Sequence, residues 1–207
     1  MPIPAGGDGF TTLYTDLATV KSAIGKLTAD DRDDLIESAI AAASRQIDQR
    51  CGRYFYADTV ASARTFRARG RLMPDGCDWV LEVDDFASDS GITVETSYGV
   101  GGAWSTLSLY EVGPDNASAL SRPWTQIRGS AGWVIQAGKV RLTARWGWPV
   151  IPDEIAQAAA LLASRLYRRK DSPQGVIGMA DWGTVRVSRV DPDVEALIGP
   201  FVIPTIA

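Results

Sequence analysis

The chain has 207 residues and no histidine. That removes the commonest general base at neutral pH and the commonest metal ligand, and a Ser-His-Asp triad cannot be built. Cysteine is almost as scarce. Cys51 and Cys77 are the only two, far from a Cys-x-x-Cys spacing, so they cannot complete a four-ligand zinc site by themselves. Two free thiols in a reducing compartment are expected rather than a disulfide. No apolar run approaches the roughly 20 residues needed to cross a bilayer. The opening MPIPAGGDGF lacks the basic region and apolar run of a signal peptide. There is also no excess of positive charge: 25 acidic against 21 basic residues leave a net charge of −4. A protein whose main task is to coat phosphate backbones shows the opposite balance, although a local basic face stays open. No internal repeat is visible.

What the chain does have is an ordinary globular composition, 45% hydrophobic and 22% charged, and enough length for a real core. Residues 1–12 read as a loose, Gly/Pro-rich arm. Thr15-Asp16 can cap a short helix ending at Gly25, with Leu17, Val20 and Ile24 on one face. A second helix runs from an N-cap at Thr28 to Cys51-Gly52. The acids Asp30, Asp31, Asp33 and Asp34 favour its start, and Leu35, Ile36, Ala39, Ile40, Ala43 and Ile47 form its apolar face. Its AIAAAS centre suggests close approach to another helix. From about Arg53 to Trp148 the pattern changes to short β-branched and aromatic runs (ARTFRAR, WVLEVDDF, GITVETSY, WSTLSLYEV, TQIRG, GKVRLTARWGW). Turn signals such as MPDG, SDSG, YGVGG and GPDN separate them. In KVRLTARW, Val140, Leu142 and Ala144 face one way and Arg141, Thr143 and Arg145 the other, as in a sheet with one solvated face. A third helix follows Pro152, with Ile155, Ala158, Ala159, Leu162 and Leu166 on its packing side. A Gly-rich loop comes next, then a strand-like TVRVSR. DPDVEALIGPF makes a last short helix, capped by Asp191 with Pro192 at its first position. The expected class is α+β: a helical-bundle core of three to four helices (residues 13–57 and 148–207) with a large inserted antiparallel β domain (58–147).

Candidate chemistry is thin. The acids at the second helix start suit the helix dipole without a cation. Asp84-Asp85 could be half of an acid/base pair, but no second cluster answers it, so a turn is the better reading. Gly99-Val100-Gly101-Gly102 lacks the Lys-Ser/Thr of a phosphate loop and reads as a hairpin turn. Arg165, Arg168, Arg169 and Lys170 complement the end of the third helix, and a second basic stretch (Arg64, Arg67, Arg69, Arg71) alternates along a strand. Of the seven Trp, six fall in the β block, where core or interface is favoured over stacking on sugars or bases. Trp182 differs: with Val176, Ile177 and Met179 it lies in a loop with little core of its own, which favours docking on a partner. No catalytic residue, cofactor or metal ligand emerges.

Three stretches together carry a resemblance: SRQIDQRCGRYFY, WGWPVIPDEIAQAAALLASRLYRRKDSPQGVIG and VRVSRVDPDVEALIGPF. The chain resembles the head–tail connector (adaptor) proteins of tailed bacteriophages over roughly residues 13–57 and 145–201. The resemblance implies a structural virion protein at the head–tail interface, made in the host cytoplasm. It implies a homo-oligomeric ring, typically a dodecamer, under the portal protein. Such a ring extends the DNA channel, with genomic DNA passing unread, and gives stopper or tail-completion proteins a platform. It places the helix Asp153–Lys170 as lining or buttress of the ring, and Asp191–Phe201 with the following apolar residues as a docking element. The expected interface residues are then Arg165, Arg168, Arg169, Lys170, Val176, Ile177, Met179, Trp182, Phe201, Val202 and Ile203. The alternatives are a stopper or tail-completion protein, a carbohydrate or host-surface binding module working through the Trp-rich block, and a DNA binder using Arg165–Lys170.

Overall fold

The computed structural model describes residues 12–25, 32–130, 138–169 and 191–204. It is an α+β protein, with four α-helices and two antiparallel sheets among the described residues. The chain divides into two compact units, Met1–Phe55 with Ile151–Ala207, and Tyr56–Val150.

In the first unit α1 spans Leu17–Ile24, with the Asp16 carboxylate accepting from the Thr19 N–H at 2.8 Å and Gly25 stopping it at φ 78°. Helix α2 spans Asp33–Cys51 and ends at Gly52, whose left-handed conformation suits a residue without Cβ. Arg32, not Thr28, holds the N-cap position and makes no side-chain cap bond. Thr28, Asp30 and Asp31 lie outside the described residues. Helix α3 spans Asp153–Arg169, and α4 spans Pro192–Ile198, with the Asp191 carboxylate accepting from the Asp193 N–H at 3.0 Å. A single 3-10 turn, Gly199–Phe201, follows.

Val20, Ile36, Ala39, Ile40, Ala43, Ala160, Ala163 and Tyr167 form one buried cluster joining α1, α2 and α3. Alanines on both α2 and α3 remove side-chain bulk where the helices meet, so the backbones can approach closely. Leu35 departs from the expected face: it is 45% exposed. It lies 100° around the helix from Ile36, and it is Ile36 that keeps phase with Ala39, Ala43 and Ile47.

Among its described residues the second unit holds eight strands in two four-stranded sheets. They are β1 Ser62–Arg67, β2 Leu72–Asp75, β3 Asp78–Phe86, β4 Thr93–Ser97, β5 Trp104–Thr106, β6 Glu111–Gly113, β7 Trp124–Ser130 and β8 Lys139–Ala144. One sheet is ordered β1-β8-β4-β5 and the other β2-β3-β7-β6. On β8, Val140, Leu142 and Ala144 are buried while Arg141 and Thr143 are partly exposed, as the alternation predicts. Three expectations are corrected. Met73, Pro74 and Asp75 are strand rather than turn. They lie in an edge strand, which tolerates proline because one of its sides has no neighbouring strand to bond, and Gly76-Cys77 make the turn. The run WSTLSLYEV is split between β5 and β6, which belong to different sheets. Asp84 and Asp85 lie inside β3, whose pairing with β7 shifts register between Glu82 and Phe86.

Trp146 is fully buried, near Phe66 and Phe86. Its indole N–H donates to the Ser62 carbonyl at 2.8 Å, and the Arg64 guanidinium lies 4.4 Å over its ring. Trp124 and Trp148 are also buried. Trp79 and Trp104 are half-buried, and Arg141 covers the Trp104 ring at 4.3 Å. Trp133 lies outside the described residues.

Candidate functional site

The first unit carries two features built by the ends of its helices. One is a buried polar latch. Tyr14, just ahead of α1, is buried against α2. Its backbone N–H donates to Ser44 Oγ at 3.2 Å, and its hydroxyl donates to the Asp48 carboxylate while accepting from the Phe55 N–H at 2.8 Å. Arg45 pairs with Asp48 at 3.2 Å and donates to the Thr12 carbonyl at 2.8 Å. One phenol thus ties the chain before α1, the last turn of α2 and the chain after α2. Burial pushes the Asp48 carboxyl up to about 6, against the hydrogen bond from Tyr14 and the nearby Arg45, which act to lower it. Burial, with the Asp48 charge beside it, holds the Tyr14 phenol well above its ordinary range. Sequence reasoning missed the latch. The available signal was polar Ser44 and Asp48 at helical spacing on a face otherwise apolar from Ile36 to Cys51.

The other feature is an open groove of about 410 Å³ between α2, α3 and α4. Ile47, Leu162, Leu166, Val194 and Ile198 give it an apolar floor. Two ion pairs fix its rim: Arg50 bonds the Glu195 carboxylate through two nitrogens at 2.8 and 3.1 Å, and Arg165 meets Asp191 at 2.6 Å. The Glu195 carboxylate holds the Arg50 guanidinium above its usual value.

The groove gathers part of the expected site. Arg165 and Arg169 line it. Arg168 points elsewhere, donating to the carbonyls of Ala23 and Ile24 at 3.4 and 3.2 Å, where it caps the end of α1 rather than of its own helix. Phe201 stacks edge-on against Phe55 with centroids 5.6 Å apart, and the Ile203 N–H donates to the Cys51 carbonyl at 2.9 Å. Phe201 and Val202 are half-buried and Ile203 is exposed. Lys170, Val176, Ile177, Met179 and Trp182 lie outside the described residues. In the second unit Arg64 is paired with Asp84 at 2.9 Å and Arg71 lies over the Phe66 ring at 5.6 Å, so the basic strand does not present four free charges. Among the described residues no cluster of three or more His, Cys, Asp or Glu side chains could hold a metal ion, and no helix is long and apolar enough to cross a membrane.

Residues 14–73 match the family of phage gp6-like head–tail connector proteins. Over that span the chain is similar to the phage head–tail connectors. The matched span opens on Tyr14, the centre of the latch, and takes in α1, α2 and β1. Among solved structures, the chain is similar to one in the neck of an empty gene transfer agent (GTA) particle computed with C6 symmetry. That likeness has a TM-score of 0.53 and 19% identity over 92% of this chain and 90% of the other, and it establishes the fold. A chain from the virion of a native gene transfer agent particle aligns with a TM-score of 0.49 and 16% identity, over 92% of this chain and 88% of that one. No curated protein matches. The sequence likeness to connectors thus covers residues 14–73, and the likeness of fold covers 92% of the chain.

Proposed function

We propose that the chain is a structural component of the neck of a phage or gene-transfer particle. It assembles as a ring under the portal, extends the DNA channel, and offers a platform for stopper or tail-completion proteins. The match of residues 14–73 to the connector family carries this reading, and the fold likeness to a neck chain supports it.

The physical properties fit the role. A subunit charge of −4 lets repeated copies surround DNA without clamping it. A cyclic assembly needs two different surface patches on each subunit, one received by the next. The segment Asp191–Ile203 is held against its own unit by the Arg165–Asp191 and Arg50–Glu195 pairs and by the Phe55 ring. As a docking element it would enter an interface already shaped, losing little conformational entropy. Phe201, Val202 and Ile203 would act there, with Ile203 the exposed contact. Lys170, Val176, Ile177, Met179 and Trp182 are proposed as further contacts on the strength of their chemistry in the sequence. Trp124, Trp146 and Trp148 are buried, so they are not available to stack on a sugar.

Genetic complementation tests the role. Particles assembled without the chain should yield filled heads and free tails that fail to join, and supplying the chain should restore joining. Normal joined particles in its absence would refute the reading.

A further inference from the structure

The same helical unit carries an apolar groove and, elsewhere, an exposed apolar side chain that fits it. Leu35 is 45% exposed, and among the described residues it is the one large apolar side chain so exposed on an α-helix. Asp34, also exposed, precedes it in the first turn of α2. The groove has an apolar floor, and its rim carboxylates Glu195 and Asp191 are already engaged by Arg50 and Arg165. Arg169, at the end of α3, forms no ion pair with any described residue. Floor and rim together therefore suit an apolar side chain with a carboxylate beside it, and Asp34-Leu35 offers both.

Leu35 cannot fill its own groove. It lies on the same side of α2 as the groove residue Gln46 but three turns away, about 16 Å along the axis. The occupant that supplies this chemistry is a second copy of the chain. We propose that Leu35 of one copy seats on Leu162 and Leu166 of the next, while Asp34 pairs with Arg169. Knob and groove are separate patches, so a copy engaged through one keeps the other free, and the contact is heterologous. Such contacts propagate and can close a ring. The proposal rests on the ring assembly inferred above and names the contact that would build it.

Sedimentation velocity of the full chain over a range of concentrations tests it. Wild type should self-associate. Leu35→Glu and Arg169→Asp should each weaken association by about tenfold or more, with helix content unchanged by circular dichroism. Asp34→Arg should do the same, and combining it with Arg169→Asp should restore association by reversing the pair. A chain that stays monomeric at every concentration overturns the proposal. So does an Arg169→Asp variant that associates like wild type, or a charge swap that fails to rescue. A swap that fails while the chain still caps the portal removes this contact and leaves the neck role standing. A swap that rescues in a chain that ignores the portal does the reverse.

Discussion

Replacing Tyr14 by Phe removes a single oxygen and tests the latch. That oxygen donates to Asp48 and accepts from the Phe55 N–H, and both partners are buried. Leaving each without its partner costs about 1–3 kcal/mol, more where the partner is charged, so the variant should lose on the order of 2–5 kcal/mol. In a chain of this size each kcal/mol lowers the melting temperature by about 2–4 °C. Thermal melts followed by far-UV circular dichroism at pH 8 and pH 5 measure both the loss and its pH dependence. At pH 8 Asp48, with its carboxyl raised to about 6, is ionised and loses its donor. At pH 5 it is protonated and needs that donor less. The cost should therefore be larger at pH 8. A Tyr14→Phe variant within about 0.5 kcal/mol of wild type at pH 8 would refute the reasoning.

Further predictions follow from single sites. The Asp48 carboxyl rises from 3.8 to about 6 on folding, so its protonation stabilises the fold fully below about pH 4, and that contribution is lost as pH rises through 6. Asp48→Asn should flatten this part of the stability–pH curve, by on the order of 3 kcal/mol across the window, and an unchanged slope in urea titrations would contradict it. Ala159 is fully buried on α3. Ala159→Leu should overpack the interface and cost about 1–3 kcal/mol in denaturant unfolding. Trp146→Ala should cost about 3–5 kcal/mol, read by the loss of cooperative unfolding in the β unit. Burial raises the Cys51 thiol to about 11, and Cys77 is exposed, so a thiol reagent at neutral pH should label Cys77 in the native chain and reach Cys51 only after unfolding.

The helices were legible because each carries two independent signals, a 3.6-residue apolar period and a chemical stop or start. Asp16 and Gly25 bracket α1, Gly52 closes α2, and Asp191-Pro192 opens α4. Where only one signal existed the reading slipped. Thr28 is a good capping residue by type, yet the helix starts at Asp33. Leu35 falls just outside the buried stripe that Ile36, Ile40, Ala43 and Ile47 form, and residue type alone does not tell an edge position from a core one. In the β unit, alternation marked β8 clearly. Pro74 hid β2, because the pattern cannot distinguish a turn from an edge strand that tolerates proline. The split of residues 104–112 between two sheets is a matter of long-range pairing, which local pattern does not encode. The groove and the latch were invisible for the same reason: they join Tyr14 to Asp48 and Arg50 to Glu195, contacts fixed only by helix packing.

The central claim is that this chain forms the connector layer of the neck. Negative-stain imaging of the purified chain mixed with its portal tests it most directly. The account predicts a ring of the chain capping the narrow end of the portal on one side only. Portals that remain bare at saturating chain concentration, or chain bound along their flanks without a closed ring, would contradict it.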